Sequence, residues 1–212
     1  MEGLYFVTDR ALCGEKQLTD VVLRAVRGGA ACVQLREKDV STKFFIDEAL
    51  KIKALLEPSR VPLIINDRLD VALAVGAEGV HVGQEDMPYE TARRLMGPKA
   101  IIGLSVETWE DVERAEALDA DYLGVSPVFA TPTKTDTKAP WGLEGITRIR
   151  AFSRHPLVAI GGLNAANAAA AVLAGADSIA VVSAICAPAD PFAAATELDR
   201  IVRSALAERR RN

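Results

Sequence analysis

Short runs of Val, Ile and Leu alternate along this chain with longer segments whose apolar residues recur at helical spacing. This alternation is typical of a parallel sheet built from βα units. The predicted strands are Leu4–Thr8, Cys32–Arg36, Leu63–Asn66, Gly79–Val82, Ala100–Leu104, Tyr122–Val125, Leu157–Ile160 and Ser178–Val182. The predicted helices are Leu18–Arg27, Thr42–Leu56, Arg68–Val75, Tyr89–Met96, Thr108–Leu118, Leu143–Phe152, Ala165–Ala174 and Pro191–Ala207.

The order of these elements favours an α/β fold, a closed (β/α)8 TIM barrel that forms a single domain over residues 1–212. A doubly wound open sheet is the alternative, but no dinucleotide-type glycine fingerprint follows the first strand. The residues Gly29, Gly76, Asp119 and Gly175 each stand just before a predicted strand. We expect them to take the left-handed conformation that ends a helix.

Three polar side chains share one face of the second strand and its continuation, because Gln34, Arg36 and Lys38 are spaced two residues apart. We expect this face to point into the barrel, at the carboxyl end where barrel active sites lie. Placing Arg36 inside without an anionic partner is costly, so it implies a carboxylate or phosphate ligand. The alternative is a solvated strand end at which Arg36 pairs with Glu37 or Asp39.

Two carboxylates follow neighbouring strands: Asp67 comes after the third and Asp86 after the fourth. Adjacent strands lie about 5 Å apart, so these side chains could share one cation. Mg²⁺ accepts one or two protein carboxylates, together with waters and phosphate oxygens. The alternatives are that Asp67 caps the helix beginning near Arg68 and that Asp86 starts a turn before Pro88.

Three further loops carry groups that can hold phosphate. Thr131-Pro132-Thr133-Lys134 follows the sixth strand and supplies two hydroxyls and an ammonium, although an ordinary turn stiffened by Pro132 is the alternative. Gly161-Gly162-Leu163-Asn164 and Val182-Ser183 follow the seventh and eighth strands, where barrels often bind phosphate. A tight turn with Asn164 as helix N-cap is compatible with that role.

Ser105 ends the predicted fifth strand, where it could equally be a turn or N-cap hydroxyl. A nucleophilic role is disfavoured, because we expect no His to pair with it. The chain has two His: His155 is predicted away from the barrel mouth, and His81 is interpreted as a core residue or a group supporting the site.

Composition excludes several classes of function. The net charge of −4 argues against a nucleic-acid surface, and no apolar stretch is long enough to cross a bilayer. We expect no signal peptide, because the chain enters a strand-like segment at once and lacks a basic flank followed by an apolar run. The cysteines are odd in number and lack metal-ligand spacing, so we expect reduced thiols in a cytoplasmic protein. A homodimer is compatible with the sequence, but nothing specific points to an interface.

With these residues placed, the chain resembles the thiamine phosphate synthase family over nearly its whole length. The matching motifs, in order, are Gln34-Leu35-Arg36-Glu37-Lys38, Asn66-Asp67-Arg68, His81 to Pro88, Gly103-Leu104-Ser105, Thr131 to Lys134, Gly161-Gly162 and Val182-Ser183. The family's (β/α)8 barrel agrees with the pattern of strands and helices.

The resemblance implies a transferase with two small-molecule substrates. It joins a hydroxymethylpyrimidine pyrophosphate to a thiazole phosphate, giving thiamine phosphate and pyrophosphate. By the family pattern, the pyrimidine pyrophosphate is held by Gln34, Arg36, Lys38 and Asn66, in a motif that also includes Leu35 and Glu37. Asp67 and Asp86 would bind Mg²⁺, and Ser105 and Lys134 would lie near the reacting end together with Arg36 and Lys38. The thiazole phosphate would be held by Thr131, Pro132, Thr133, Gly162, Val182 and Ser183.

Two other functions stay open. A thiazole tautomerase of the same superfamily would not need Asp67, Asp86 and Lys134 together, and would be expected to place a His at the mouth. A catalytically silent barrel that senses a thiamine intermediate would have no reason to keep the pair of carboxylates.

Overall fold

The protein, described by a computed structural model over residues 2–131 and 138–211, is a closed barrel of parallel strands. Each strand pairs with the next one along the chain, and β8 pairs with β1. The strands are β1 (Gly3–Val7), β2 (Ala30–Leu35), β3 (Leu63–Asn66), β4 (Gly79–Val82), β5 (Ile101–Val106), β6 (Tyr122–Val125), β7 (Leu157–Ile160) and β8 (Ser178–Val181). The predicted (β/α)8 barrel is confirmed.

Helices follow the strands and cover the barrel. They are α1 (Leu18–Arg27), α2 (Thr42–Leu56), α3 (Leu69–Val75), α4 (Tyr89–Met96), α5 (Trp109–Glu116), α6 (Gly142–Phe152), α7 (Ala168–Leu173), α8 (Ser183–Cys186) and α9 (Pro191–Arg209). Single-turn 3-10 helices lie at Ala11–Cys13 and Glu57–Ser59. Within the described ranges, none of the helices combines the length and the apolar character that a membrane span requires.

The apolar side chains form two layers that follow the alternation along each strand. Val33 and Leu35 belong to the large outer layer between strands and helices, as predicted. The inward positions form a smaller cluster inside the barrel, made of Tyr5, Val7, Cys32, Ile64, Tyr122, Val158 and Ala180. The polar residues Gln34 and Asn66 lie nearer the carboxyl ends of the strands and line the cavity there. The inner cluster forms the floor of that cavity.

Several element boundaries differ from the prediction by one to three residues, and the short helix α8 was not predicted. β5 runs on to Val106, so Ser105 lies inside a strand and is neither a turn nor a cap residue. The helix predicted from Ala165 begins only at Ala168. Asn164 and Asn167 cause this delay, because each side chain accepts a hydrogen bond from a nearby backbone N–H and so competes with helix formation.

The end of α5 also differs, since Asp119 does not take the left-handed conformation. The glycines predicted to do so, Gly29, Gly76 and Gly175, all have positive φ. After α5 the chain instead tightens into i→i+3 hydrogen bonds, from the N–H of Leu118 to the carbonyl of Ala115.

Candidate active site

A cavity of about 1380 Å³ opens at the carboxyl ends of the strands, which is where barrel enzymes carry their sites. Most of the predicted site residues that the structure describes line it: Gln34, Arg36, Lys38, Asn66, Asp67, Asp86, Ser105, Thr131, Gly162, Val182 and Ser183. Pro132, Thr133 and Lys134 lie outside the described residues. The fold therefore brings together side chains that are separated by up to about 150 positions in the chain.

The end of β2 directs the side chains of Arg36 and Lys38 towards the cavity. The backbone N–H of Arg36 donates to the Thr8 hydroxyl at 3.0 Å, which ties the end of β2 to β1. The Arg36 guanidinium has no ion-pair partner among the described residues. The predicted alternative, a pair with Glu37 or Asp39, is wrong. Arg36 therefore keeps its charge available for an anionic ligand.

Leu35 and Glu37 point away from the cavity, in contrast to Arg36 between them. Leu35 is fully buried in the outer layer. Glu37 accepts hydrogen bonds from Arg10, 2.6 Å away at the nearest, and the same guanidinium binds Glu48 of α2 at 2.7 Å. Since neither side chain lines the cavity, a contact of these two residues with substrate would have to come from their backbone.

Asp67 adopts an unusual backbone conformation at the end of β3, with φ of 59°. Asp and Asn tolerate this left-handed region better than most residues. Its N–H donates to the His81 carbonyl at 2.8 Å, and its carboxylate accepts from the Lys38 ammonium at 2.5 Å. The alternative role as a helix cap is wrong, because the N-cap of α3 is Arg68 and no side chain caps it.

Asp86 faces Asp67 across the rim of the cavity. The backbone N–H of Gly83 donates to its carboxylate at 2.8 Å, so the alternative role in a turn is also present. Partial removal of the carboxyl from water raises its pKa, and the neighbouring Asp67 carboxylate adds to the rise. The Gly83 N–H and the Lys38 ammonium oppose this shift. Two carboxylates thus share one small region, as the sequence predicted.

The floor of the cavity is a network that the sequence analysis missed. The Tyr5 and Tyr122 hydroxyls lie 2.7 Å apart, and the Gln34 amide nitrogen donates to Tyr5 at 2.9 Å. Nδ1 of His81 lies 3.0 Å from the Tyr122 hydroxyl, and Nε2 lies 2.8 Å from the Ser105 hydroxyl. The expectation that no His pairs with Ser105 is therefore wrong. The inward positions of Tyr5 and Tyr122 on their strands could have indicated a polar network inside the barrel.

Two glycines make room for these rings inside the barrel. A Cβ placed on Gly103 would lie 2.0 Å from Cζ of Tyr122 and 2.5 Å from Nδ1 of His81. A Cβ on Gly124 would lie 2.9 Å from Cε1 of His81. The rings of His81 and Tyr122 stack with centroids 5.5 Å apart, in space that side chains at these positions would otherwise fill.

The opposite side of the mouth is built from backbone. Gly161 and Gly162 have φ of 103° and 65°, and a Cβ on Gly162 would lie 2.8 Å from the Ala130 carbonyl oxygen. Only glycine fits this close approach. Ser183 begins the short helix α8 directly after β8. Together with Thr131, these residues line the part of the cavity away from the carboxylates.

Comparison with known proteins agrees with this arrangement. The family described as thiamine monophosphate synthase matches residues 4–185. The thiamine-phosphate synthase of Albidiferax ferrireducens is 58% identical over 199 residues, which cover 94% of this chain and 91% of that protein. The thiamine-phosphate synthase of Leptospira biflexa is 50% identical over 202 residues, covering 93% and 96%.

A solved structure gives the same result in three dimensions. Thiamine phosphate pyrophosphorylase from Pyrococcus furiosus matches with a TM-score of 0.87 and 39% identity, over 96% of each chain. The match includes the barrel and the strand ends that form the cavity. This chain belongs to the thiamine monophosphate synthase family.

Proposed function

We propose that this transferase joins a hydroxymethylpyrimidine pyrophosphate to a thiazole phosphate and releases pyrophosphate. The thiazole nitrogen forms the new bond to the pyrimidine methylene as the bond from that carbon to the pyrophosphate oxygen breaks. The nucleophile is part of the substrate, so the protein need not activate a side chain. Its main task is to stabilise the charge that grows on the departing pyrophosphate.

The pair Asp67 and Asp86, with Lys38 and Arg36 beside it, is the observation that carries this proposal. Crowding two carboxylates at one rim is unfavourable unless a cation relieves it. The pKa of Asp86 is raised chiefly by partial burial, and the neighbouring Asp67 carboxylate adds to the rise. An ammonium already contacts Asp67. A site that combines carboxylates with cations suits a metal together with a polyphosphate, and a metal-free phosphate site would not need the carboxylates.

The donor set fits Mg²⁺. Asp67 and Asp86 offer two neighbouring carboxylates on the wall of the cavity. Among the described residues, no group of three or more His, Cys, Asp or Glu is placed to hold a metal. Mg²⁺ commonly binds one or two carboxylates and completes its shell with waters and substrate phosphate. When bound, it would neutralise negative charge on the pyrophosphate. Asn66, next to Asp67 on β3, would bind the same substrate.

Arg36, Lys38 and Lys134 are proposed to bind the pyrophosphate as fixed cations. Arg36 supports this role because its guanidinium lines the cavity without an ion pair among the described residues. The thiazole phosphate would be held on the other side of the mouth, by Gly162, Ser183 and the loop that begins at Thr131. The backbone of Gly162 can approach a phosphate closely because no Cβ intervenes.

One observation favours a second candidate, a thiazole tautomerase. We expected such an enzyme to place a His at the mouth, and His81 does line the cavity. His81 sits on β4 and both ring nitrogens are engaged by Tyr122 and Ser105, so its position in the wall differs from that of a loop His above the substrate. The carboxylate pair still favours the transferase.

The experiment that tests the proposed function measures pyrophosphate release from the full chain. Both substrates are supplied, with Mg²⁺ present or removed by a chelator. We expect release only when both substrates and the metal are present. Turnover that persists without metal would contradict the proposal, and isomerisation of a thiazole phosphate without pyrophosphate release would support the tautomerase. Binding without either reaction would indicate a sensor.

Lys134 provides a prediction about the reacting end. The family pattern implies that Lys134 acts on the leaving group, so we expect Lys134→Met to lower kcat by about two orders of magnitude. Initial rates over both substrate concentrations measure this, with Lys99→Met, an exposed position before β5, as control. A change confined to KM for the thiazole phosphate would move Lys134 to the other substrate.

Quaternary structure and location remain predictions. Large apolar side chains are exposed on several outer helices, namely Phe44, Leu50, Leu73, Leu95, Phe152, Leu173 and Phe192. We propose a homodimer in the cytoplasm, and sedimentation of the purified chain would measure its subunit number.

A further inference from the structure

We propose that the hydrogen bonds across the barrel interior all point the same way, each residue donating to the next from Gln34 through Tyr5, Tyr122 and His81 to Ser105. This direction holds His81 as its Nε2–H tautomer. As a result, Ser105 presents its hydroxyl proton to the cavity. The tautomer is a property of the chain alone, whereas the role of Ser105 as a donor to substrate rests on the proposed function. His81, Tyr122 and Tyr5 are therefore positioning residues.

The direction begins at Gln34. Its amide nitrogen lies 2.9 Å from the Tyr5 hydroxyl, and an amide nitrogen can only donate. Tyr5 is buried, so its own O–H needs an acceptor, and the Tyr122 oxygen lies 2.7 Å away. A buried hydroxyl proton without an acceptor would cost about 1–3 kcal/mol. Tyr5 therefore accepts from Gln34 and donates to Tyr122.

Cys32 is the competing acceptor for the Tyr5 proton. Its thiol also neighbours the Tyr5 hydroxyl inside the barrel. A thiol sulfur is a weak acceptor, whereas a phenol oxygen at 2.7 Å lies at the preferred O–H···O distance. The Tyr122 oxygen is therefore favoured.

The next two steps fix the imidazole. Since Tyr122 accepts from Tyr5, its own proton is directed to Nδ1 of His81, 3.0 Å away. Burial raises the pKa of both phenols well above their usual value, so both keep the protons that they donate. Nδ1 must then be unprotonated, and the neutral ring carries its proton on Nε2. This Nε2–H donates to the Ser105 hydroxyl oxygen at 2.8 Å.

Ser105 is the last residue in this series of hydrogen bonds, and it lines the cavity. Its hydroxyl oxygen accepts from His81, and in the described part of the chain His81 is its one side-chain partner. The Ser105 proton is thus left to turn towards an acceptor atom on the substrate. If the chain of hydrogen bonds ran the other way, Ser105 would donate to His81 and offer the substrate an acceptor. The direction consequently decides what kind of atom this wall recognises.

The second histidine provides an internal reference. Nδ1 of His155 lies 2.9 Å from the Ala120 carbonyl oxygen, and a carbonyl can only accept. His155 therefore carries a proton on Nδ1, the nitrogen that is unprotonated in the tautomer inferred for His81. With two His in the chain, one measurement compares both rings.

The test is a long-range ¹H–¹⁵N correlation spectrum of the full chain, labelled with ¹⁵N-histidine, at neutral pH without ligand. We expect one ring with its proton on Nε2 and one with its proton on Nδ1. His155→Gln identifies which signals belong to His81. A proton on Nδ1 of His81, or on both of its nitrogens, would overturn the proposal.

Two matched variants separate the two directions. In Tyr5→Phe, the Tyr122 O–H can still donate to Nδ1 of His81 at 3.0 Å, so the Nε2–H tautomer should persist. In Tyr122→Phe, the donor to Nδ1 is gone, so the His81 signals should shift towards Nδ1 protonation. The His155 signals report that the fold is intact. A tautomer lost in Tyr5→Phe, or unchanged in Tyr122→Phe, would contradict the inferred direction.

Turnover of the same variants tests the role of Ser105 in the proposed reaction. We expect Tyr122→Phe to lower kcat about tenfold, the effect of misdirecting one hydrogen bond, and Tyr5→Phe to lower it less. Equal kcat values for wild type and Tyr122→Phe would show that the network has no role in turnover. A wild-type chain with the expected tautomers but no pyrophosphate release would sink the proposed function and leave the tautomer assignment standing.

Discussion

Replacing Asp86 by Asn is expected to lower kcat by about two to three orders of magnitude, while the fold is retained. The amide oxygen of Asn can still accept from the Gly83 N–H, so the local turn survives. What is lost is the second negative charge that would hold Mg²⁺ against the pyrophosphate. Pyrophosphate release at increasing Mg²⁺ concentration measures this, and we expect no recovery at high metal concentration.

Asp67→Asn is the matched variant, with a comparable loss of turnover. Asn is the better replacement than Ala here, because Asp67 has φ of 59° and Asn tolerates that conformation. An Ala variant would add backbone strain to the loss of charge. If either Asn variant kept wild-type turnover, the assignment of the metal to this pair would be wrong.

Stability gives an independent readout for Asp86. Its pKa is raised in the folded chain, so the folded state binds a proton there more tightly than the unfolded state does. The charged carboxylate therefore destabilises the metal-free protein above that pKa, and the penalty disappears as the pH falls through it. We expect Asp86→Asn to unfold at the same or a higher temperature than wild type at neutral pH without metal. A lower unfolding temperature would contradict this account of the rim.

The second large effect is expected for Gly103→Ala, which should destabilise the barrel by about 3 kcal/mol or more. The added methyl group would meet the Tyr122 ring at 2.0 Å and the His81 ring at 2.5 Å. Neither ring can move aside without breaking its hydrogen bonds to the other members of the network. Urea unfolding of the metal-free chain measures the difference in the free energy of unfolding.

Gly76→Ala is the control for that prediction. Gly76 takes the left-handed conformation, with φ of 61° and ψ of 43°, and a Cβ placed there would meet only the flexible end of Lys53, 3.2 Å from its Nζ. The main cost is then the strain of a left-handed residue, about 1 kcal/mol. If the two variants lost the same stability, crowding around Gly103 would not be the cause.

The fold could be predicted from sequence because each βα unit repeats the same local pattern. Period-two alternation also placed Gln34 and Arg36 on the inward face of β2, and parallel strands carry such residues to one end of the barrel. The boundaries of α2 and β3 agree with the sequence prediction, since both are set by local apolar periodicity and, for α2, by the Ser41 cap.

What could not be predicted depends on contacts between distant segments. The Tyr5 and Tyr122 hydroxyls meet across 117 positions, and no local pattern indicates such a pair. The pairing of His81 with Ser105 needs the register of β4 against β5, which the sequence leaves open. The left-handed conformation of Asp67 was missed for a different reason, because Asp before a helix is also a common cap.

The ion pair between Arg10 and Glu37 affects how variants outside the cavity are interpreted. Glu37 stands between Arg36 and Lys38, and neighbouring side chains at a strand end leave on opposite sides. Anchoring the middle residue from outside, through Arg10 and Glu48, thus aims both cations inward. We therefore expect changes at Glu48 of α2, which is buried against Arg10, to weaken substrate affinity at a distance. Variants with impaired turnover would then be found in α2 as well, although none of its residues lines the cavity.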